Sequence, residues 1–234
     1  MFGRRLINTK QGGGCTTDTL QILGDTSCVA TYRLNGDATD LSGNYNGTAT
    51  SVTYVAGQFG DAGSFNGSSS EITLGNVSFG AAGLGASAIS LSIWVNPQAT
   101  QGDTNHIIDH LHTSTSGWVI QQSGTSTNAY YFALFNGSSY KVSPTITLTA
   151  NVWNHLVFTI NSSGVLNSYL NNVAVTISDS GYGTLNNSVS LETKISGYAG
   201  SSGRQFNGKL DQTRIFNRAI TAAEVTTLYN EVAC

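Results

Sequence analysis

The sequence is short of charged residues, proline and long apolar runs, and each shortage excludes a class of protein. Only 10% of the 234 residues are charged, which is too few for a set of exposed amphipathic helices. With two prolines and 27 glycines, most turns must be made by glycine, asparagine and aspartate, which tolerate positive φ. No apolar run reaches the length that crosses a bilayer, so membrane insertion is not expected. The formal net charge is −3 and no basic stripe follows the chain, which argues against nucleic-acid binding.

Cysteine is scarce as well. The three cysteines, Cys15, Cys28 and Cys234, lack the C-x-x-C spacing of a metal site. They lie near the two ends of the chain, and the ends of a compact domain are often close in space. A Cys28–Cys234 disulfide is therefore one prediction, and free thiols in a reducing compartment are the alternative.

What is present from Cys28 onward is a series of short strand-like runs separated by Gly, Asn and Ser turns. Alternation places Ile89, Leu91, Ile93 and Val95 on one face of such a run. About a dozen short strands without helical runs between them predict an all-β fold, a two-sheet antiparallel sandwich.

One helix is predicted, at the C-terminal end. Thr221 and Glu224 have the spacing of a capping box. An apolar stripe at helical spacing follows, formed by Val225, Leu228, Tyr229 and Val232. We expect this short helix to dock its stripe on the sandwich.

Residues 1–27 differ in character from the rest of the chain. Arg4, Arg5 and Lys10 are three of its ten basic residues, and Gly12–Gly14 follow them. We therefore divide the chain into an attachment segment, residues 1–27, and one domain, residues 28–234.

Several blocks of the domain resemble a known family. They occur in family order and read CVATYRLNGDATDLSGNYNGTAT, GQFGDAGSFNGSSSEITL, ISLSIWVNP, WNHLVFTINSSGVLNSYLNNVAV and NGKLDQTRIFNRAITAAEVTTLYN. The chain is similar to the laminin-G-like jelly rolls of the concanavalin A-like lectin/glucanase superfamily, which implies a jelly-roll sandwich with a closing strand and short helix. Asn171-Asn172 stand where the family usually has Asp-Gly in a hairpin turn, and asparagine can adopt the same left-handed conformation.

The leading segment, MFGRRLINTKQGGGCTTDTLQILGD, resembles the N-termini of such domains in marine bacteriophages. This resemblance implies a virion protein, made in the host cytoplasm and exposed on the particle, whose residues 1–27 bind capsid or tail proteins. The domain would bind host-surface glycans or neighbouring virion proteins, and homo-oligomerisation is left open. The alternatives are a purely architectural decoration protein and a carbohydrate-active enzyme.

The superfamily includes glucanases, whose hydrolysis requires paired carboxylates. Retaining hydrolysis needs two carboxyl groups about 5–5.5 Å apart. None of the four glutamates has an acidic residue two to four positions away: Glu71, Glu192, Glu224 and Glu231. We therefore predict a protein without catalytic residues, although a Ser/His/Asp site is left open because its members need not be neighbours in sequence.

The stretch DLSGNYNG at residues 40–47 is a candidate calcium loop. It carries oxygen-bearing side chains at every second position, Asp40, Ser42, Asn44 and Asn46. An EF-hand is excluded, because its closing glutamate would fall at Ser51. The family resemblance implies a further carboxylate from the closing strand, Asp211. The prediction is a structural Ca²⁺ held by Asp40, Asn44 and Asp211, and the alternative is a solvated turn.

The histidine-rich stretch DTNHIIDHLHTSTSGW is a rival metal site. His110 and His112 would share one strand face, with Asp103, His106 and Asp109 nearby. We favour the alternative, a surface strand edge and loop.

For a sugar ligand the candidates are aromatic residues in or beside polar loops, because sugars stack on exposed rings. The predicted ligand-binding residues are Trp118, Tyr130, Tyr140, Tyr182 and Tyr198.

Overall fold

The computed structural model describes residues 20–74, 88–110, 116–125, 127–136, 138–183, 192–200 and 202–232. Two antiparallel sheets of eight strands each pack face to face, and one short helix follows the last strand. The all-β sandwich with a single short C-terminal helix is thereby confirmed.

Sheet A holds the longest strands. Its spatial order is β14 (Val173–Asp179), β13 (Leu166–Leu170), β12 (Asn154–Ile160), β6 (Ile89–Pro97), β16 (Asn207–Phe216), β4 (Asp61–Asn66) and β3 (Thr53–Ala56), with β1 (Cys28–Tyr32) paired to the end of β16.

Sheet B contains shorter strands. Its spatial order is β10 (Tyr140–Val142), β9 (Ala129–Phe135), β8 (Gly117–Gln122), β7 (His106–Asp109), β15 (Lys194–Ile195), β5 (Glu71–Thr73) and β2 (Thr48–Thr50), with β11 (Ile146–Thr147) paired to β9.

The main core lies between the inner faces of the two sheets. The four alternating residues predicted to share a face on β6, Ile89, Leu91, Ile93 and Val95, are all buried in it. Leu156, Phe158 and Ile160 of β12 join them from the neighbouring strand. Period-two alternation therefore identified the inner face of β6, and β12 shows the same alternation.

The β13–β14 hairpin turns through Asn171 and Asn172. Their φ angles are 51° and 64°, so both residues adopt the left-handed conformation that a two-residue hairpin turn requires. Leu170 and Val173 pair directly on either side of the turn. The expectation that asparagine preserves this turn is confirmed.

The outer face of sheet A is covered by the helix and by the residues before β1. Helix α1 spans Ala222–Tyr229, with Thr221 as N-cap and both halves of the predicted capping box formed with Glu224. A second apolar cluster lies between the helix and the outer face of sheet A, where Val157 and Phe216 contribute to it. Val225 and Leu228 of the helix are fully buried in this cluster, and Tyr229 is half-buried. Val232 is 77% exposed, so its place in the apolar stripe was wrong: the helix stops at the Asn230 C-cap before reaching it.

Residues 20–27 pack on the sandwich. Leu20, Ile22 and Leu23 lie against the same outer-face cluster as α1, and the Asp25 carboxylate accepts from the Arg218 guanidinium at 2.6 Å. The described part of the predicted attachment segment therefore forms part of the packed body. Residues 1–19 lie outside the described residues.

Cys28 is a buried member of this cluster that forms no disulfide among the described residues, and its Sγ lies 3.1 Å from the Thr31 hydroxyl. Burial raises the pKa of the Cys28 thiol to about 11. Its predicted disulfide partner, Cys234, lies outside the described residues, so the pairing stays a prediction. Among the described residues, no helix is both long and apolar enough to span a membrane.

Candidate functional site

The outer face of sheet B carries a strip of aromatic side chains. Strand pairing places Tyr131 beside Gln121, and Phe135 beside Tyr140. Tyr131 and Phe135 are half-buried, and Tyr140 is 44% exposed. Because opposed residues of antiparallel strands point to the same face, these side chains form one surface across β8, β9 and β10.

Tyr140 reaches along this strip. Its hydroxyl donates to Oε1 of Gln121 at 3.5 Å, a long contact. Burial raises the pKa of Tyr140, and the Tyr131 hydroxyl adds to the effect. Tyr140 therefore presents a neutral hydroxyl group beside an aromatic surface, a combination that suits a polyhydroxylated ligand with an apolar ring face.

A polar cluster adjoins the strip on β7 and in the loop before β16. Nδ1 of His106 lies 2.5 Å from Oδ2 of Asp109, and both side chains are fully buried. Nη1 of Arg204 lies 3.3 Å from Nε2 of His106. The Arg204 guanidinium stacks over the Tyr198 ring, 4.8 Å from its centroid. The N–H donors of Arg204 therefore lie next to the aromatic strip, held there by His106 and the Tyr198 ring.

An ion pair between Lys194 and Glu71 lies on the other side of the polar cluster. The Lys194 ammonium on β15 donates to Oε1 of Glu71 at 2.8 Å. Nε2 of Gln205 donates to the second oxygen of Glu71 at 3.3 Å. This carboxylate is committed to two protein donors.

The predicted ligand-binding aromatic residues divide between the core and this face. Trp118 and Tyr130 are wholly buried in the inter-sheet core, so the prediction that they stack on a ligand is wrong. Tyr182 is 5% exposed and its hydroxyl donates to Oδ2 of Asp179 at 2.6 Å, which leaves little ring surface for a ligand. Tyr140 and Tyr198 lie at the face just described, where their binding role stays a prediction.

Tyr131 was missed. In the run AYYFALF, Tyr130 and Tyr131 are neighbours, and in a strand their side chains point to opposite faces. The usable signal was the alternation of Tyr130, Phe132 and Leu134, which all enter the core. Reading that trio as the inner face would have placed Tyr131 outside.

Residues His106–Asp109 of the histidine-rich stretch form an interior strand, because β7 lies between β8 and β15. The favoured interpretation as a surface strand edge was wrong, since His106, Asp109 and His110 are all fully buried. His110 points the other way from His106, with Nδ1 2.8 Å from the Thr193 hydroxyl and its ring against Trp118. Burial lowers the pKa of His110 to about 4.

The rival zinc ligands are therefore split between two faces. His112 lies outside the described residues, and Asp103 is exposed in the loop before β7. Within the described ranges, no group of three or more His, Cys, Asp and Glu side chains could hold a metal ion.

The calcium loop is held by its own hydrogen bonds. Oδ1 of Asp40 accepts from the backbone N–H of Thr31 at 2.8 Å and of Ser42 at 3.0 Å. Oδ2 accepts from the N–H of Tyr45 at 3.1 Å and from the Ser42 hydroxyl. A carboxylate with four donors is already well satisfied without a cation.

Asp211 is engaged elsewhere. Its Oδ2 accepts from the N–H groups of Gln58 and Phe59 at 3.0 and 2.9 Å, and Gly57 permits this approach because a Cβ there would lie 2.7 Å from that oxygen. Asn44 instead lines a cleft of about 280 Å³ beside residues 20–29, and Asp211 is not among the lining residues. Among the described residues, no hydrogen bond joins Asp40, Asn44 and Asp211 to one another.

Calcium binding at Asp211 stays a proposal, because its carboxyl group is buried and only one of its oxygens is hydrogen-bonded among the described residues. Burial raises the pKa of Asp211 to about 7, and its Oδ1 has no partner among the described residues. If a Ca²⁺ ion sits there, EDTA is expected to lower the melting temperature by several degrees, because an ion at a hundred times its Kd stabilises by about 2.7 kcal/mol. Asp211→Asn should remove the difference, and an unchanged wild-type melting curve would refute the site.

A Ser–His pair is also brought together, away from sheet B. The Ser92 hydroxyl lies 2.8 Å from Nε2 of His155 on the outer face of sheet A. Both residues are fully buried, and the His155 ring stacks on Trp94 at a centroid distance of 4.9 Å and lies tilted against Tyr229 at 5.8 Å. Its Nδ1, where a triad carboxylate would bind, has no partner among the described residues. The pair therefore lacks both the orienting carboxylate and access to a substrate.

A two-sheet antiparallel sandwich with one short C-terminal helix is the jelly-roll fold of lectin-like domains. The chain belongs to the concanavalin A-like lectin/glucanases superfamily, whose family model matches residues 66–226, more than half of the chain. The family resemblance found in the sequence is thereby confirmed. No curated protein sequence matches the chain.

Solved structures agree on the fold. Domain 4 of AbnA, a GH43 extracellular arabinanase from Geobacillus stearothermophilus, in complex with arabinotriose, is 22% identical with a TM-score of 0.69, covering 87% of this chain and 98% of that one. The binding domain of botulinum neurotoxin DC in complex with SialylT is 16% identical with a TM-score of 0.65, covering 87% and 51%. The binding domain of paraclostridial mosquitocidal protein 1 is 18% identical with a TM-score of 0.63, covering 86% and 51%. This chain therefore spans about half the length of either toxin domain, and at these identities the likeness shows the fold alone.

Proposed function

We propose that the protein binds carbohydrate without catalysing a reaction, and that the glycan lies on the outer face of sheet B. The observation that carries the proposal is the exposed ring of Tyr140, which lies beside Phe135 on the neighbouring strand. Its hydroxyl is hydrogen-bonded to Gln121, next to the polar cluster that contains Arg204. Rings of this kind cover the apolar face of a sugar, and the amides and hydroxyls at their edge bind its hydroxyl groups.

The similar structures support a binding role. Domain 4 of AbnA was solved with arabinotriose, and the botulinum neurotoxin DC domain with SialylT. Both complexes concern those proteins, and they make a sugar the first ligand to test here.

Tyr140→Ala is expected to weaken glycan binding roughly fivefold, since one stacked aromatic contact is worth about 1 kcal/mol. The measurement is a glycan array followed by calorimetric titration of the strongest binder. Ile177→Ala is the matched control, because Ile177 is 55% exposed on the edge strand of sheet A. If Tyr140→Ala binds the glycan normally and Ile177→Ala binds it weakly, the glycan lies on sheet A and the proposed site on sheet B is wrong.

We also propose that this domain is displayed on a phage virion. The support is the resemblance of the leading segment and its basic residues, Arg4, Arg5 and Lys10. Since residues 20–27 pack on the sandwich, the attachment function is assigned to residues 1–19.

Deleting residues 1–19 should leave the melting temperature within about 2 °C of the full chain, because the deletion removes none of the described core contacts. The variant should be absent from purified particles when it replaces the full chain. Normal incorporation would contradict the attachment role. Incorporation of the full chain without glycan binding would instead favour the architectural alternative.

A further inference from the structure

Arg204 is an exposed cation whose charge meets no carboxylate among the described residues. The other cation of the cluster, Lys194, is neutralised by Glu71 at 2.8 Å. Arg204 contacts an imidazole nitrogen and the Tyr198 ring instead. A guanidinium has five N–H donors, and only the one to His106 is used within the described chain.

The buried His106–Asp109 pair directs this guanidinium. Arginine can only donate, so Nε2 of His106 must be the acceptor in its contact with Arg204. The imidazole proton therefore sits on Nδ1, which donates to Asp109 at 2.5 Å. The Asp109 carboxylate thus accepts from the His106 ring and fixes its orientation, and the ring in turn positions the Arg204 guanidinium.

The backbone holds Arg204 in place as well. Its φ is 61°, a left-handed conformation that non-glycine residues seldom adopt. Its carbonyl accepts from the N–H of His106 at 2.9 Å, which ties the residue to β7. With the backbone fixed and the side chain in contact with His106 and the Tyr198 ring, Arg204 loses less conformational entropy on binding a ligand than an arginine without contacts would.

Arg204 belongs to the same face as the aromatic strip. His106, which Arg204 contacts, pairs with Gln121 across β7 and β8, and the Gln121 side chain accepts from the Tyr140 hydroxyl. A chain of contacts on this face therefore connects Arg204 to Tyr140. The edge of the guanidinium that is not engaged by His106 can form a bidentate pair with a planar carboxylate.

We propose that the glycan bound on the outer face of sheet B is acidic, with a sugar carboxylate pairing with Arg204 while a sugar ring packs on Tyr140. This inference rests on the proposed carbohydrate-binding function. It narrows the ligand to glycans that contain uronic acids or other carboxylated sugars.

The test uses the full chain on an array of neutral, carboxylated and sulfated glycans. Calorimetry then compares the strongest carboxylated binder with its methyl ester, which keeps the sugar and removes the charge. Arg204→Gln should weaken binding of the acid at least tenfold, and Arg204→Lys by less, since lysine keeps the charge and loses the fork. Lys209→Gln, which removes a positive charge from sheet A, is the matched control and should change the affinity less than twofold.

Each outcome decides something. Stronger binding of the acid than of its ester, lost in Arg204→Gln alone, supports the inference. Binding restricted to neutral or sulfated glycans, or equal binding by Arg204→Gln, overturns it while the carbohydrate-binding function stands. Binding of no glycan on the array overturns both.

Discussion

Arg214→Ala is expected to lower the free energy of unfolding by about 3–5 kcal/mol, because it leaves a buried carboxylate without its counter-charge. Arg214 is fully buried on the outer face of sheet A. Its Nη2 donates to Oε1 of Glu231 at 2.6 Å and to Oε1 of Gln212 at 3.0 Å. The Glu231 side chain is itself only 3% exposed. Urea denaturation of the two proteins measures the loss.

The control for this prediction is the double variant Arg214→Met/Glu231→Leu. Replacing both members of a buried ion pair with apolar residues is often neutral or stabilising, so most of the lost stability should return. Glu231 lies just beyond the C-cap of α1, and the pair therefore connects β16 to the residues after the helix. A double variant that is less stable than either single variant would show that the ion pair is not the source of the effect.

Trp118→Ala is expected to cost about 3–5 kcal/mol of stability through the cavity it leaves in the inter-sheet core. The indole has no exposed surface, and it packs against His110 with ring centroids 5.6 Å apart. The loss is measured by the same denaturation experiment. Trp118→Phe, which keeps an aromatic ring in the core, should cost less than half as much.

The binding behaviour of these variants separates packing from recognition. Trp118→Phe should bind the selected glycan within twofold of the wild type, because the side chain cannot reach the ligand. Tyr140→Ala should show the reverse, with weaker binding and an unchanged unfolding free energy. Loss of binding in a stable Trp118→Phe protein would contradict the assignment of Trp118 to the core.

Local patterns predicted the elements whose physics is local. The capping box of Thr221 and Glu224 depends on a spacing of three residues, and it forms as expected. The Asn171-Asn172 turn depends on two backbone conformations that asparagine tolerates. The inner face of β6 follows from simple alternation. Each of these needs only a few consecutive residues.

Residues whose role depends on the neighbouring strand could not be placed in the same way. The aromatic content of AYYFALF is clear in the sequence, but a one-residue change of register exchanges Tyr130 with Tyr131 between core and surface. The histidine-rich run looked like an edge because it is polar, and only strand order shows that β7 is covered on both sides.

By itself the sequence determined an all-β sandwich, its family, the capped C-terminal helix and the presence of aromatic and polar residues suited to a sugar. These follow from composition, period-two alternation and short motifs, which act over a few residues. Only the tertiary structure decided that Tyr131, Tyr140, Tyr198 and Arg204 share one face, that Trp118 and Tyr130 do not, and that Asp40 and Asp211 are held by separate donors. The reason is that each of these relations depends on strand register and on contacts between residues far apart in the chain, which no local pattern contains.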